Sequence, residues 1–182
     1  MGIPNLLTFL RIILIPVFIL LFYLPFRGSH VLAAIIFIFA AMTDWLDGYL
    51  ARSLGQVSKL GTFLDPVADK LIVVTALVLL VGDRVLPYLA IPAIVIICRE
   101  IMVSALREWM AEIGKRTRIA VTQIGKIKTT VQMLALILLL LYKPGAWFAL
   151  ALSGYLLLYL AALLTLWSMS LYLKAAWHDL SS

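Results

Sequence analysis

Six long apolar stretches take up most of this chain and leave only short polar connections between them. A helix of about 20 apolar residues is long enough to cross the hydrocarbon core of a bilayer. The composition agrees, because 64% of the residues are hydrophobic and a soluble protein needs a polar outside. The sequence predicts a single all-α domain, 1–182, that is a polytopic membrane protein. Its six transmembrane helices cover 3–24, 31–50, 61–81, 86–110, 119–142 and 146–173.

Basic residues in the connections are unevenly shared between the two sides of the membrane. One side has Arg52, Lys59, Arg107, Lys115, Arg116, Arg118, Lys126, Lys128 and Lys174, and the other has Arg27, Arg84 and Lys143. The positive-inside rule therefore predicts that both termini, the acidic stretch 44–69 and the connection 111–128 face the cytoplasm. We expect an inner-membrane protein whose helices surround a polar cavity open to the cytoplasm. The net charge of +6 favours anionic headgroups or anionic substrates over nucleic acid.

Four aspartates lie within 26 residues of a chain that has only nine acidic residues. Asp44 and Asp47 are three apart, and Asp65 and Asp69 are four apart, so each pair shares one face of a helix. Four bare carboxylates near one another would repel and would have raised pKa values. Divalent cations remove that repulsion, and hard oxygen ligands suit Mg²⁺ or Mn²⁺. The spacing therefore predicts a metal site.

Small and polar residues near these aspartates have two interpretations each. Asn5, Thr8 and Arg11 recur every third residue and form a polar stripe on the first helix. The stripe faces a polar cavity shared with the acid cluster, or it is an interfacial helix start with an arginine that reaches the headgroups. Gly48, directly after Asp47, allows a ligand to approach closely or serves helix packing.

Arg99 and Glu100 place opposite charges inside the fourth apolar stretch. Charged residues within the membrane are costly, and they mark either a functional site or an ion-pair network that orients the helices. Both interpretations remain open from the sequence.

The stretch 111–128, which covers the connection to the predicted fifth helix and the start of that helix, is basic and includes Gly and Thr residues that suit phosphate recognition. We assign the binding of a phosphate group to Arg118 and Lys126. Lys126 and Lys128 are two residues apart and point to nearly opposite sides of a helix, so both cannot face one pocket. Anchoring to anionic lipid explains several of these basic residues equally well.

The spacing Asp44-x2-Asp47-Gly48-x2-Ala51-Arg52-x8-Gly61-x3-Asp65-x3-Asp69 matches every fixed position of the signature of the CDP-alcohol phosphatidyltransferase family. The chain thus resembles that family over eight fixed residues, and the six-helix plan agrees along the whole chain. The runs Pro4–Thr8, Cys98–Glu100 and Gly125–Thr129 are similar to the branch whose acceptor is sn-glycerol 3-phosphate.

The resemblance implies transfer of a phosphatidyl group from CDP-diacylglycerol to sn-glycerol 3-phosphate, with phosphatidylglycerol phosphate and CMP as products. It implies that Asp44, Asp47 and Asp65 bind two divalent ions, and that Asp69 lies at the second ion and is the general base. It implies a homodimer formed through transmembrane helices. It also implies CDP-diacylglycerol-binding residues, which are Asn5, Thr8, Gly48, Arg52, Ser58 and Gly61.

Three other functions are compatible with parts of this sequence. The nearest is a sister enzyme whose acceptor is inositol phosphate, serine or phosphatidylglycerol. A divalent-cation transporter would use the aspartates as an ion path, but both pairs lie near one membrane face rather than across it. A structural membrane scaffold leaves the acid cluster unexplained.

Overall fold

The computed structural model describes 3–26, 28–54, 59–83, 86–112, 123–142 and 148–180. Within these ranges it describes every side chain except those at 3–5, 44–54, 59–60, 62, 107, 111, 123–124, 126, 172 and 175–180. The described residues form six helices and no strand, so the predicted all-α class is confirmed. The helices are α1 Ile3–Tyr23, α2 Ser29–Leu54, α3 Lys59–Gly82, α4 Ala90–Glu112, α5 Gln123–Leu141 and α6 Phe148–Leu180.

Helix boundaries differ from the sequence prediction by four residues or more at three places. The fourth helix begins at Ala90, because a turn that includes Pro87 and Tyr88 precedes it and Tyr88 has a positive φ of 63°. Helices α2 and α6 continue past their apolar parts to Leu54 and Leu180, through residues that include neither Pro nor Gly. Residues 119–122, where we predicted the fifth helix to begin, lie outside the described ranges.

Large apolar side chains cover much of the outer surface of the helices. On α1, Leu6, Ile13 and Leu20 are each at least 60% exposed and lie seven residues apart on one face. Within the described residues, two helical stretches are long and apolar enough to cross a membrane, Leu6–Tyr23 and Phe148–Leu171. Only 22% and 33% of their residues are buried, whereas the core helix of a soluble protein is mostly buried. This pattern supports a membrane protein.

Two compact units make up the chain, and the first, Met1–Val85 with Leu140–Ala146, contains α1, α2 and α3. Alanines at 33, 34 and 40 on α2 are fully buried, which lets neighbouring helices approach closely. The rings of Phe18 on α1 and Phe37 on α2 pack at a centroid distance of 6.0 Å. This packing fixes α1 against α2.

The second unit, Leu86–Leu139 with Trp147–Ser182, contains α4, most of α5 and α6. On α6, the hydroxyl of Tyr155 donates to the carbonyl of Pro87 at 2.6 Å, and that of Tyr159 donates to the carbonyl of Tyr88 at 2.9 Å. These two tyrosines are one turn apart, so one face of α6 satisfies the carbonyls of the turn before α4.

Helices α5 and α6 approach each other closely at Gly154. A Cβ atom at this position would lie 2.8 Å from both Cγ and Cδ2 of the fully buried Leu139. The close approach therefore requires glycine, since real Cβ atoms do not come so near to a neighbour.

We expect Gly154→Ala to lower the thermal unfolding midpoint in detergent micelles, because Leu139 must leave its packed rotamer. Overpacking of this kind costs about 1–3 kcal/mol. Gly82→Ala is the matched control, since a Cβ there meets no atom within 4 Å. Equal midpoints for the two variants would contradict the close approach.

Candidate functional site

Two polar side chains of α1 are buried inside the first unit. Thr8 is 1% exposed and Arg11 is 0% exposed, and they lie three residues apart on one face of the helix. An arginine with no exposed surface in an apolar helix requires an acceptor close by. The interpretation of Arg11 as an interfacial residue that reaches the headgroups is therefore not supported.

Both buried donors bind carboxylates of α3. The Thr8 hydroxyl donates to Oδ1 of Asp65, and Arg11 Nη1 donates to Oδ1 of Asp69 and forms an ion pair with it. The earlier residue of α1, Thr8, contacts the earlier aspartate of α3, and the later residue, Arg11, contacts the later one. Helices α1 and α3 therefore run in the same direction where they meet. Two residues of the predicted stripe, Thr8 and Arg11, are thus brought together with the α3 acid pair.

The two partners of the ion pair differ in their access to solvent. The Arg11 side chain is 0% exposed, whereas that of Asp69 is 40% exposed. Arg11 therefore holds Asp69 from the protein side and leaves part of the carboxylate reachable. Such a carboxylate has a fixed orientation and can still accept a proton from, or bind, a molecule that approaches it.

The other predicted site residues are described only in part. Gly61 is buried in the first turn of α3, and Asn5, Asp44, Asp47, Gly48 and Arg52 are placed by backbone alone, on α1 and α2. Lys126 is likewise placed by backbone alone, on α5. Ser58 and Arg118 lie outside the described residues.

Asp65 and Asp69 fit a magnesium or manganese site in their chemistry, because both offer hard oxygen ligands from one partly exposed face of α3. Among the described side chains, no three possible metal ligands gather at one point. The side chains of Asp44 and Asp47, which the predicted metal site needs, are not among them.

A second charge cluster lies in the other unit. Oε1 of Glu100 on α4 accepts from Lys128 Nζ of α5 at 2.7 Å and from Arg99 Nη1 at 3.0 Å. Arg99 Nη2 also donates to the hydroxyl of Ser168 on α6, at 3.4 Å. The interpretation of Arg99 and Glu100 as part of an ion-pair network is therefore supported, and Lys128 joins them.

Sequence reasoning missed two of these pairings. It left Arg11 out of the site residues, although the three-residue spacing from Thr8 was a signal that both share one face. It did not connect Glu100 with Lys128, which lies 28 residues further along. Periodicity shows which residues share a face of one helix, but it does not show which helix that face contacts.

Comparison with known proteins identifies the family of this chain. The family model described as CDP-alcohol phosphatidyltransferase matches residues 1–167. The chain belongs to the CDP-alcohol phosphatidyltransferase family. The signature of this family, which the sequence matches between Asp44 and Asp69, lies on α2 and α3 of the first unit.

Curated relatives extend the match to almost the full length of the chain. A protein of Pseudomonas fluorescens is 57% identical and covers 100% of this chain and 93% of its own length. Proteins of Yersinia enterocolitica and Pectobacterium atrosepticum are 53% and 54% identical, cover 99% and 98% of this chain, and 97% of their own lengths. All three are named CDP-diacylglycerol–glycerol-3-phosphate 3-phosphatidyltransferase.

In this CDP-alcohol phosphatidyltransferase, we expect Arg11→Met to lower the thermal midpoint, because it leaves the Asp69 carboxylate without its cation. The loss is smaller than the ~3–5 kcal/mol of a fully buried pair, since Asp69 is 40% exposed. Ile13→Met, at an exposed position of the same helix, is the control.

The double variant Arg11→Met with Asp69→Asn separates the contribution of the ion pair to stability from the contribution of side-chain packing on α1. We expect it to recover part of the lost stability, since neither charge is then left alone. If the double variant instead loses as much stability as the two single variants together, the ion pair does not stabilise the fold.

Proposed function

We propose that this protein transfers a phosphatidyl group from CDP-diacylglycerol to sn-glycerol 3-phosphate, releasing CMP and phosphatidylglycerol phosphate. The observation that carries the proposal is the pair Asp65 and Asp69, held by Thr8 and Arg11 within the signature of the family. The names of relatives at 53–57% identity, which match over almost their full length, support the choice of acceptor.

In the proposed reaction, a hydroxyl oxygen of sn-glycerol 3-phosphate attacks the phosphorus that carries the diacylglycerol. The bond from this phosphorus to the bridging oxygen breaks, and its electron pair leaves with CMP. We assign the hydroxyl proton to the Asp69 carboxylate, which Arg11 orients and which remains partly exposed. The atoms then balance without an oxidant or a reductant.

Asp44, Asp47 and Asp65 would hold two divalent ions, Mg²⁺ or Mn²⁺, with Asp69 also at the second. When bound, such a pair neutralises charge on the attacked phosphate and on the leaving phosphate. Asp65 contributes from α3, and its contact with Thr8 limits the rotation of its carboxylate. In this proposal Thr8 would lie near the ions as well as near the nucleotide.

The two substrates would occupy different parts of a polar cavity that opens to the cytoplasm within six transmembrane helices. We assign the CDP headgroup to Asn5, Thr8, Gly48, Arg52, Ser58 and Gly61. Of these, Gly61 is buried on α3, and its lack of a side chain leaves room for close approach. We assign the acceptor phosphate to Arg118 and Lys126, whose cationic groups suit a phosphate monoester.

We place the protein in the inner membrane with its active site on the cytoplasmic side, and we propose a homodimer. The apolar outer faces of α1 and α6 support membrane embedding. The excess of basic residues on one side supports the orientation. This arrangement would let CDP-diacylglycerol enter laterally from the lipid and a soluble anion enter from the cytoplasm.

The test is the release of CMP by purified protein given CDP-diacylglycerol, Mg²⁺ or Mn²⁺ and one acceptor at a time. We expect CMP to appear with sn-glycerol 3-phosphate in equal amount to phosphatidylglycerol phosphate. Inositol phosphate, serine and phosphatidylglycerol should release much less. Preferential release with one of these three would make the protein a sister enzyme with a different acceptor.

Asp69→Asn provides the control for the chemical step, because it keeps the shape of the side chain and removes its ability to accept the proton. We expect this variant to lose transfer. Asp83→Asn, which changes an acidic residue just after α3 and outside the signature, should keep it. Full transfer by Asp69→Asn would remove Asp69 from the role of base.

A further inference from the structure

The Glu100 cluster is built around a single carboxylate oxygen. Oε1 of Glu100 accepts from Lys128 at 2.7 Å and from Arg99 at 3.0 Å, so two cations converge on one atom. Because Arg99 also reaches Ser168, the cluster connects α4 with both α5 and α6. All of these groups belong to the second unit.

Burial makes this cluster costly. The side chains of Lys128, Arg99 and Glu100 are 4%, 12% and 24% exposed. An ion pair that is removed from water gives little net stability, and apolar residues of similar volume often stabilise a core as well or better. A buried pair does, however, have one preferred geometry, which apolar contacts between helices lack. The cluster is therefore better suited to setting the arrangement of α4 and α5 than to holding them together.

Lys128 is near the start of α5, which begins at Gln123 and is almost wholly apolar after Gln132. Leu139 packs closely against Gly154 near the other end of α5, so rotation or sliding of the helix has to be opposed separately at the end that carries Lys128. The contact from Lys128 to Glu100 opposes both movements at this end of the helix. Lys126, which we assign to the acceptor phosphate, lies two residues earlier on the same helix, so a rotation of α5 displaces it as well.

We propose that Glu100 is a positioning residue for the acceptor: by holding Lys128 it fixes the start of α5, and through it the position of Lys126, to which we assign the acceptor phosphate. This inference rests on the proposed function. It also assigns the two lysines of the run Gly125–Thr129 to different tasks. Lys126 binds the acceptor phosphate, whereas the ammonium of Lys128 is committed to Glu100.

The test compares the KM for sn-glycerol 3-phosphate with the KM for CDP-diacylglycerol in Glu100→Gln. Because small displacements of binding groups are costly, we expect the acceptor KM to rise about tenfold or more. The KM for CDP-diacylglycerol should stay within about twofold of the wild-type value. Lys128→Met should show the same split, and Lys128→Arg, which keeps the ion pair, should restore a value near wild type.

Two other roles for the cluster predict different results, and either result would overturn the proposal. If Lys128 bound the phosphate directly, Glu100→Gln would free its ammonium and leave the acceptor KM unchanged or lower. If the cluster only stabilised the fold, Glu100→Gln would lower the thermal midpoint and the amount of active enzyme. The ratio of the acceptor KM to the CDP-diacylglycerol KM would then stay at its wild-type value.

A measurement of geometry keeps this inference separate from the proposed function. Spin labels on Cys98 of α4, the single cysteine of the chain, and on Leu134→Cys of α5 report the spacing of the two helices. Both native residues are exposed. We expect the dipolar EPR distance distribution to broaden in Glu100→Gln, whether or not CMP is released. An unchanged distribution would refute the positioning role even in an active enzyme, and absent CMP release in wild type would refute only the proposed function.

Discussion

The contact between buried donors of α1 and carboxylates of α3 is the interaction on which this structure depends. An acidic pair in an apolar helix is stable only where a donor or a cation satisfies it. Thr8 and Arg11 provide that on the protein side of α3, and Arg11 has no exposed surface. The acidic face of α3 is therefore oriented by the neighbouring helix.

Among the described side chains, each unit has a carboxylate that accepts from a buried cation, and the two carboxylates differ in their exposure to solvent. Asp69 is 40% exposed, so part of it can still meet a substrate. Glu100 is 24% exposed, and one of its oxygens receives both Arg99 and Lys128. The first arrangement suits a group that takes part in chemistry, and the second suits a group that sets the geometry of helices.

Much of the fold follows from local sequence patterns. Apolar stretches of sufficient length predicted six helices, and the four-residue spacing of Asp65 and Asp69 predicted a shared face that α1 then contacts. The start of α4 was predicted four residues too early, because the apolar stretch continues through a turn that Pro87 and Tyr88 form. Hydropathy does not distinguish an apolar turn from an apolar helix.

The pairings between helices were harder to predict than the helices. Arg11 and Asp69 are 58 residues apart, and no local pattern relates residues at that separation. Sequence reasoning assigned a phosphate to Lys126 and left Lys128 without a partner of its own, among the basic residues that anchoring to anionic lipid could explain. Its partner became evident only from the packing of α5 against α4. The roles of Arg118, Lys126 and Ser58 stay predictions from the sequence.

The central claim is that aspartates of α2 and α3 together hold two divalent ions. Counting Mn²⁺ bound to the purified protein by EPR tests it without reference to catalysis. The account predicts saturable binding of about two ions per chain, with at least one lost in Asp65→Asn and none lost in Asp83→Asn. Wild-type protein that binds no Mn²⁺, or Asp65→Asn that binds as much as wild type, would contradict it.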